Sequence, residues 1–332
     1  MEETKKKISF NKLILYFNIF FSFFLLIIYV SIETDPLKYG YFSLLSLLYS
    51  PILLINLIFI FYWIIIKKPY FLLSTICILI GYNNIQKQIQ FFGKNQNNTQ
   101  NDIKIISFNT RNFVHNGWEE RNRQLLKENL IKILNQENPD IICLQEFPDT
   151  INIKLETEYK TNQKLGTIIL TNKKQINNQF VHLETNRSNS CIYIDIIHKK
   201  DTIRIYNMHL ESVQINEKDS FFQKITKINE ANKIRIKQVE TIINNIKKSP
   251  YPVILCGDMN NSPYSFAYKN ITKQLNDAFI KSGSGLGNTF QYIIPLRIDY
   301  IFHEKNIKSY NFNTINTNLS DHNMITCNIF IN

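Results

Sequence analysis

The chain is short of the residues that staple or clamp a fold. It has five cysteines in 332 residues, and no two share the C-x-x-C spacing of a metal or redox motif. Cys77 lies in an apolar segment, and Cys143, Cys191, Cys256 and Cys327 each sit inside a strand-like run. They read as small apolar core residues, which argues against a disulfide framework. No internal repeat is present. A dense basic stripe is missing too. The excess of 38 Lys+Arg over 27 Asp+Glu is spread thinly, unlike the footprint of a dedicated nucleic-acid binder. It is compatible with a phosphate-bearing substrate without demanding one.

Charge itself is missing from long stretches of the first hundred residues. Leu13–Ile32 and Tyr41–Ile66 carry none, and both exceed the roughly 18 apolar residues of a spanning helix. Pro51 is expected to kink the second. A third run, Pro69–Tyr82, is shorter. A charge-free run of this apolarity has few homes other than the bilayer, so three spans are expected. Lys5, Lys6, Lys7 and Lys12 precede the first segment, and Lys67 and Lys68 follow the second. The positive-inside rule makes both cytoplasmic. If the third run crosses, everything after it lies outside the membrane; if it does not, the large domain is cytoplasmic. The expected division is 1–86 as a membrane anchor of two to three transmembrane helices, 87–102 as a polar linker, and 103–332 as a catalytic domain.

After the linker the pattern changes. "IKIISFN", "IICLQE", "GTIILTN", "CIYIDIIH", "TIRIYNMHL", "PVILCGD", "RIDYIF" and "MITCNIFI" read as strands. Helical spacing covers the stretch ending at Asn138–Pro139 and the stretch from about Glu217 to Lys248. A further helix is expected over "SPYSFAYKNITKQLNDAF", opened by Ser262 as cap with Pro263 at the first helical position. Several strands are consecutive. The expected fold is therefore α/β, with two packed sheets and helices outside.

Polar residues recur where these strands finish or begin. Asn109, Glu146 and His209 end three of them, Asp258 and Asn260 follow "VILCG", Asp299 lies in "RIDYIF", and Asp321 and His322 precede the last. Singly, each has an ordinary role: a turn Asn, a solvated Glu, a turn Asp, a strand-end His. Together they make four acids, two imidazoles and two amides at strand ends of one domain. That set suits metal-assisted attack of water on phosphorus.

The ordered stretches "SFNTRNF", "LQEF", "NMHLES", "CGDMNNSP", "GLGNTF", "RIDYIF" and "SDHNMI" resemble the motifs of the endonuclease/exonuclease/phosphatase superfamily, from about Ile103 to Phe330. The anchor ahead of them is similar to a membrane-bound bacterial branch. The resemblance implies a four-layer α/β sandwich with its site at one rim, and a divalent metal, Mg²⁺ or Mn²⁺. It implies Glu146 as main metal ligand, with Asn109 beside it and Asp321 within reach. Asp258 matches the residue that orients or deprotonates the attacking water, with Asn260 helping. His322 matches the imidazole on the scissile phosphate, Asp299 the acid behind it, and His209 a second phosphate-binding imidazole. Where some nuclease members carry a second acid, this chain has Arg111, a candidate phosphate contact. Arg187 is another.

The function expected is a membrane-anchored phosphoesterase in a bacterial inner membrane, with the catalytic domain on the outer, periplasmic side. Its substrate would be a nucleic acid, a phospholipid headgroup or a small phosphate ester, and its surroundings a lipid bilayer. No protein partner is implied. The competing expectation is a non-catalytic anchored scaffold that binds phosphorylated ligands.

Overall fold

A computed structural model of the chain describes residues 2–96, 102–114, 120–183, 189–291 and 296–331. Contacts divide it into two units, Met1–Gln86 with Tyr264–Phe266, and Lys87–Pro263 with Ala267–Asn332.

The first unit is helical: α1 (Glu2–Ile32), α2 (Pro36–Ser43), α3 (Tyr49–Ile65), α4 (Phe71–Ile80) and α5 (Tyr82–Gln86). Two stretches, Phe10–Ile32 of 23 residues and Pro36–Ile65 of 30, are long and apolar enough to cross a membrane. The expected kink at Pro51 is resolved differently. A 3₁₀ turn over Leu44–Leu48 ends before α3, and Pro51 falls in the first turn of α3, where its missing N–H costs nothing. α4 has 10 residues, about 15 Å at 1.5 Å per residue, roughly half of a hydrocarbon core.

Polarity in this unit is inverted. Phe20, Phe23, Phe61 and Ile65 face outward, while Asn18, Ser22, Asn56 and Ser74 are buried. These four form one network. Asn18 Nδ2 donates to Ser74 Oγ at 2.6 Å, Ser22 Oγ and Ser74 Oγ donate to Asn56 Oδ1 at 2.9 and 2.8 Å, and Trp63 Nε1 donates to Asn18 Oδ1 at 2.9 Å. Side-chain bonds of this kind join helices where apolar surroundings offer no alternative partner. They tie α4 to α1 and α3. At Gly81 a Cβ would lie 2.0 Å from Tyr29 Cζ, so only glycine admits the tyrosine there.

The second unit holds two six-stranded sheets. In chain order its elements are β1 (Ile89–Gln90), β2 (Asp102–Asn109), α6 (Glu120–Glu137), β3 (Ile141–Gln145), β4 (Lys160–Lys164), β5 (Thr167–Thr171), β6 (Lys174–Val181), β7 (Ser190–His198) and β8 (Asp201–His209). Then come α7 (Phe221–Ile246), β9 (Val253–Asp258), α8 (Phe266–Gln274), β10 (Leu275–Asp277), α9 (Ala278–Ser282), β11 (Gly285–Leu286), β12 (Asp299–Glu304), β13 (Lys308–Ile315) and β14 (Met324–Phe330). One sheet runs β10-β12-β9-β8-β7-β6, the other β13-β14-β2-β3-β5-β4. β2–β3 and β8–β9 are parallel pairs. The remaining pairs within these sheets are antiparallel. Ser262 and Pro263 do not open a helix; α8 starts at Phe266 and gives way to β10 at Leu275. α7 opens instead on a full capping box, Ser220 with Gln223.

Strand alternation fills the space between the sheets. Ile103 and Ile105 of β2 share one core cluster with Ile141 and Cys143 of β3, Ile203 and Ile205 of β8, and Ile254 and Cys256 of β9. The opposite faces of β2 and β3 carry Ile106, Phe108, Ile142 and Leu144, which pack with Leu126, Leu130 and Leu134 of α6. The four expected thiols are buried and free. Continuing the inward parity brings Ser107 and then Asn109 of β2, Gln145 of β3, Asn207 and then His209 of β8, and Asp258 of β9 to the seam. The seam between the sheets thus passes from aliphatic to amide to ionisable as it nears one rim.

The stretch expected to be a linker is fastened along its first part. Ile89 and Gln90 pair with Leu286 and Gly285, Lys94 N–H donates to Ser282 O, and Gln96 exchanges bonds with the Asn311 side chain.

Candidate active site

Register sets the first contacts. His209 pairs with Asp258 across β8–β9, and Asp258 with Asp299 across β9–β12. Three ionisable groups therefore stand level on adjacent strands of one sheet. Gly257 makes this level possible. Its φ is +133°, and a Cβ there would lie 1.9 Å from Met208 O, a position closed to any side chain. In the other sheet Asn109 pairs with Gln145, the residue before Glu146. His322 stands three residues before Ile325, which pairs with Ser107 of β2.

The two sheets meet through these residues. Asn109 Nδ2 donates to Asp258 Oδ2 at 2.9 Å and to Glu146 Oε1 at 3.2 Å. His209 Nε2 lies 3.5 Å from Glu146 Oε1 and 3.9 Å from Asp258 Oδ2, and is buried with no hydrogen-bond partner among the described residues. His322 Nδ1 lies 2.9 Å from Asp299 Oδ2, and its Nε2 lies 3.9 Å from Asp258 Oδ2. A buried polar atom without a partner is rare in a native core and marks a place for a ligand or water.

Burial and charge set the protonation of the dyad. Burial alone would lower His322, but Asp299, with its hydrogen bond, and then Asp258 and Asp321 outweigh it and raise the imidazole to about 10. Burial raises Asp299 to about 6 against the pull of His322. Between these values the two form an imidazolium–carboxylate pair. Asp258, Asp299 and His322 also offer three ligand atoms within 4.8 Å of one another. An imidazolium repels a cation, and Nδ1 is already taken by Asp299. The trio therefore suits holding a proton better than caging a metal.

Glu146 is the better metal position. Its side chain is 30% exposed, its backbone is left-handed at φ +46°, and its second oxygen accepts only a long bond from Asn112 Nδ2 at 3.3 Å. It opens on a cavity of about 460 Å³ lined also by Asn112, Phe147, His209, Ser212 and Gln214. Arg111, Asn112 and Phe113 share the left-handed region, as does Asn260. Backbone strain is thus gathered at this rim, as at many functional sites.

The other expected residues fall as follows. Asn260 is at the rim, but its side chain donates to Leu210 O at 3.0 Å, and its backbone N–H donates to Asp258 Oδ1 at 2.7 Å. Asp321 is brought to Arg111, Oδ2 to Nη1 at 3.2 Å. Arg187 lies outside the described residues.

Several supporting residues had no place in the sequence reading. Gln145 Nε2 donates to Asn207 Oδ1 at 2.7 Å, a buried bridge between the sheets just beneath the site. Thr289 Oγ1 accepts from both Ile298 N–H and Asp299 N–H at 3.0 Å. Arg235 of α7 is buried; its Nε donates to Glu211 O at 2.6 Å and its Nη1 to Asn232 Oδ1 at 2.8 Å. Gln238 Oε1 accepts from Glu211 N–H at 2.9 Å. Asn232, Arg235 and Gln238 stand three apart on a helix whose neighbouring positions are Ile236 and Val239. That polar stripe was the available signal.

Comparison with known proteins agrees with this fold. The profile of the Endonuclease/Exonuclease/phosphatase family matches residues 106–322, and that of a domain of unknown function matches residues 11–88. No curated protein matches. Among solved structures, Danio rerio TDP2 complexed with a single-strand DNA product has a TM-score of 0.56 at 17% identity, covering 69% of this chain and 99% of its own. An endonuclease/exonuclease/phosphatase family protein from Leptotrichia buccalis has 0.51 at 20%, covering 69% and 100%. The human Nocturnin catalytic domain with bound sulfate has 0.53 at 17%, covering 70% and 96%.

Proposed function

Because the chain belongs to the endonuclease/exonuclease/phosphatase family, and so to the hydrolases of phosphoester bonds, we propose that it is a membrane-anchored phosphoesterase using Mg²⁺ or Mn²⁺. The observation that carries the reading is the meeting of Glu146, Asn109, Asp258, His209 and the Asp299–His322 dyad across two sheets.

The residues fit a hard cation. Glu146 supplies a carboxylate open to solvent, and Asn109 Nδ2 braces that carboxylate by donating to it. Mg²⁺ takes one or two carboxylates and keeps several waters, so this sparse shell suffices. When bound, such an ion polarises the phosphoryl oxygens and lowers the pKa of water. Asp321, held by Arg111, is a second acid at the same rim.

The remaining steps belong to the chain. Asp258 accepts from Asn109 and from Asn260 N–H, which holds its carboxylate in place for the role of orienting or deprotonating the attacking water. Asn260 works by holding Asp258 and the Leu210 carbonyl. His322, kept charged by Asp299, faces the phosphoryl group and offers its Nε2 proton. Charge fixed where it develops in the transition state is the largest single contribution to such chemistry. His209 and Arg111 provide further contacts for the phosphate.

The relative crystallised with a single-strand DNA product supports a phosphodiester in a nucleic acid. A lipid headgroup or a small phosphate ester is equally compatible with the core residues. The two long apolar helices support a multi-pass anchor in a bilayer. The Lys67–Lys68 loop reads as cytoplasmic under the positive-inside rule, and a third crossing through the α4–α5 stretch would put the catalytic unit on the outer face. A reporter fused to the C-terminus reads that side.

The test is direct. The purified chain is expected to hydrolyse members of a phosphodiester and phosphomonoester panel with Mg²⁺ or Mn²⁺, to stop with EDTA, and to lose activity in His322→Ala. Equal inertness of wild type and variant across the panel would remove the reading.

A further inference from the structure

The ribbon formed by β1 and β11 has an unusual outer surface. Phe91 and Phe92, directly after β1, are 68% and 90% exposed, and Leu286 of β11 is 59% exposed. Lys94 follows them, also exposed. Two adjacent phenylalanines left in water on a short ribbon gain nothing for the fold, and such a patch marks a contact surface. The covalent chain says with what. α5, the last helix of the first unit, ends at Gln86, and Phe91 is five residues on, a reach of about 17 Å at most. Aromatic and lysine side chains side by side are the composition that settles at the boundary of headgroups and acyl chains.

The ribbon is also bonded to the site. Gly287 N–H donates to Gln88 O at 3.0 Å, and Gln88 Nε2 donates to Asn288 Oδ1 at 2.6 Å. Asn323 Nδ2 donates to Asn288 O at 3.1 Å, and Asn323 N–H donates to Thr289 O at 2.6 Å. Thr289 holds the Asp299 backbone, and the Phe290 ring lies 4.9 Å from that of His322.

We propose that Phe91, Phe92 and Leu286 form a bilayer-docking patch that seats the catalytic rim at the lipid headgroup layer. The occupant is the membrane that the chain's own apolar helices enter, so the inference rests on the anchor reading.

The test uses the full chain in phosphatidylcholine/phosphatidylglycerol vesicles with a nitroxide on Phe92→Cys or Leu286→Cys. The five native cysteines are buried, and the unsubstituted chain carried through the same labelling is the blank. Ile58→Cys, on an outward position of α3, reports the anchor. Lys200→Cys, in the β7–β8 turn at the end of β8 away from His209, reports the aqueous side. The expected result is collision with oxygen several-fold above collision with a water-soluble nickel chelate at positions 58, 92 and 286, and the reverse at 200. A buried label at 58 with aqueous labels at 92 and 286 overturns the docking patch and leaves the enzyme and anchor readings standing. Aqueous labels at 92 and 286 with spin–spin broadening between copies would assign the patch to self-association instead. An aqueous label at 58 would sink anchor and patch together.

Discussion

His322 Nδ1 and Asp299 Oδ2 lie 2.9 Å apart, both buried, one just before β14 of one sheet and the other at the head of β12 in the second. This bond closes the seam between the sheets at the rim that holds the proposed site. It also makes the charge on His322 depend on a residue 23 positions earlier in sequence.

The pH dependence follows from that pair. The folded-state pKa of His322 is raised to about 10, so the imidazolium persists below it and is lost as pH rises through it. Asp299, raised to about 6 by burial, loses its charge below that value. Activity that needs the ion pair should fall on an acid limb near 6 and an alkaline limb near 10. In Asp299→Asn the lowering effect of burial on His322 stands with less opposition, so the alkaline limb should move to lower pH. The maximal rate should drop by about 10²–10⁴, as for loss of an orienting carboxylate behind a catalytic histidine. A pH–rate profile of wild type and variant checks both. The same sign applies to stability: the contribution from His322 is complete below about 6.5 and lost through about 10.

Metal dependence should centre on Glu146. Glu146→Gln keeps the shape and an acceptor for one of the two amides, Asn109 and Asn112, that donate to this side chain, but removes the charge. It should raise the Mg²⁺ or Mn²⁺ concentration needed for half-maximal activity by about 10-fold or more, leaving the folded state intact. Asp321→Asn should shift it less, because Arg111 already engages that carboxylate. Metal titrations of the EDTA-treated chain distinguish the two, and equal shifts would reassign the main ligand.

Much of this site could be read from the sequence because strand parity is local. In "IKIISFN" and "VILCGD" the alternation that buries Ile105 and Cys256 also delivers Asn109 and Asp258 to the seam. The hairpin between "CIYIDIIH" and "TIRIYNMHL" was readable for the same reason, and His198 does pair with Asp201. What stayed hidden depends on contacts between distant segments. Nothing near Gln145 announces that it reaches Asn207 in the other sheet. Nothing near Arg297 announces that its guanidinium is buried among Phe279, Tyr300 and Asp277. The end of α8 was misplaced because Leu275–Asp277 continues a helical apolar pattern, yet pairs with β12 as an edge strand.

Arg297 gives a stability prediction. Its Nη1 donates to Asp277 Oδ2 at 2.7 Å with both side chains 1% exposed, and Tyr268 Oη donates to the same oxygen. Arg297→Ala strands a buried carboxylate, which costs about 3–5 kcal/mol. Arg297→Met with Asp277→Asn removes both charges, keeps an acceptor for the Phe279 N–H that Asp277 caps, and should recover most of the loss. Denaturant or thermal unfolding of the two variants measures it. Equal destabilisation by single and double variants would show that packing, not charge, governs the site.

Thr289 offers the sharpest separation of positioning from folding. Its hydroxyl accepts from two consecutive backbone amides, Ile298 and Asp299, and so sets where the Asp299 carboxylate starts. Thr289→Val keeps the volume and leaves both amides without their acceptor. Each unpaired buried donor costs about 1–3 kcal/mol, and the head of β12 should shift to find partners. Because Asp299 moves with it, the hydrogen bond to His322 weakens, and kcat should fall by about 10-fold or more with KM little changed. The alkaline limb of the profile should move in the same direction as in Asp299→Asn. Thr289→Ser restores the acceptor without the methyl group and should restore both kcat and the limb. Rescue by Ser without rescue of the pH limb would mean that Thr289 acts on the fold alone.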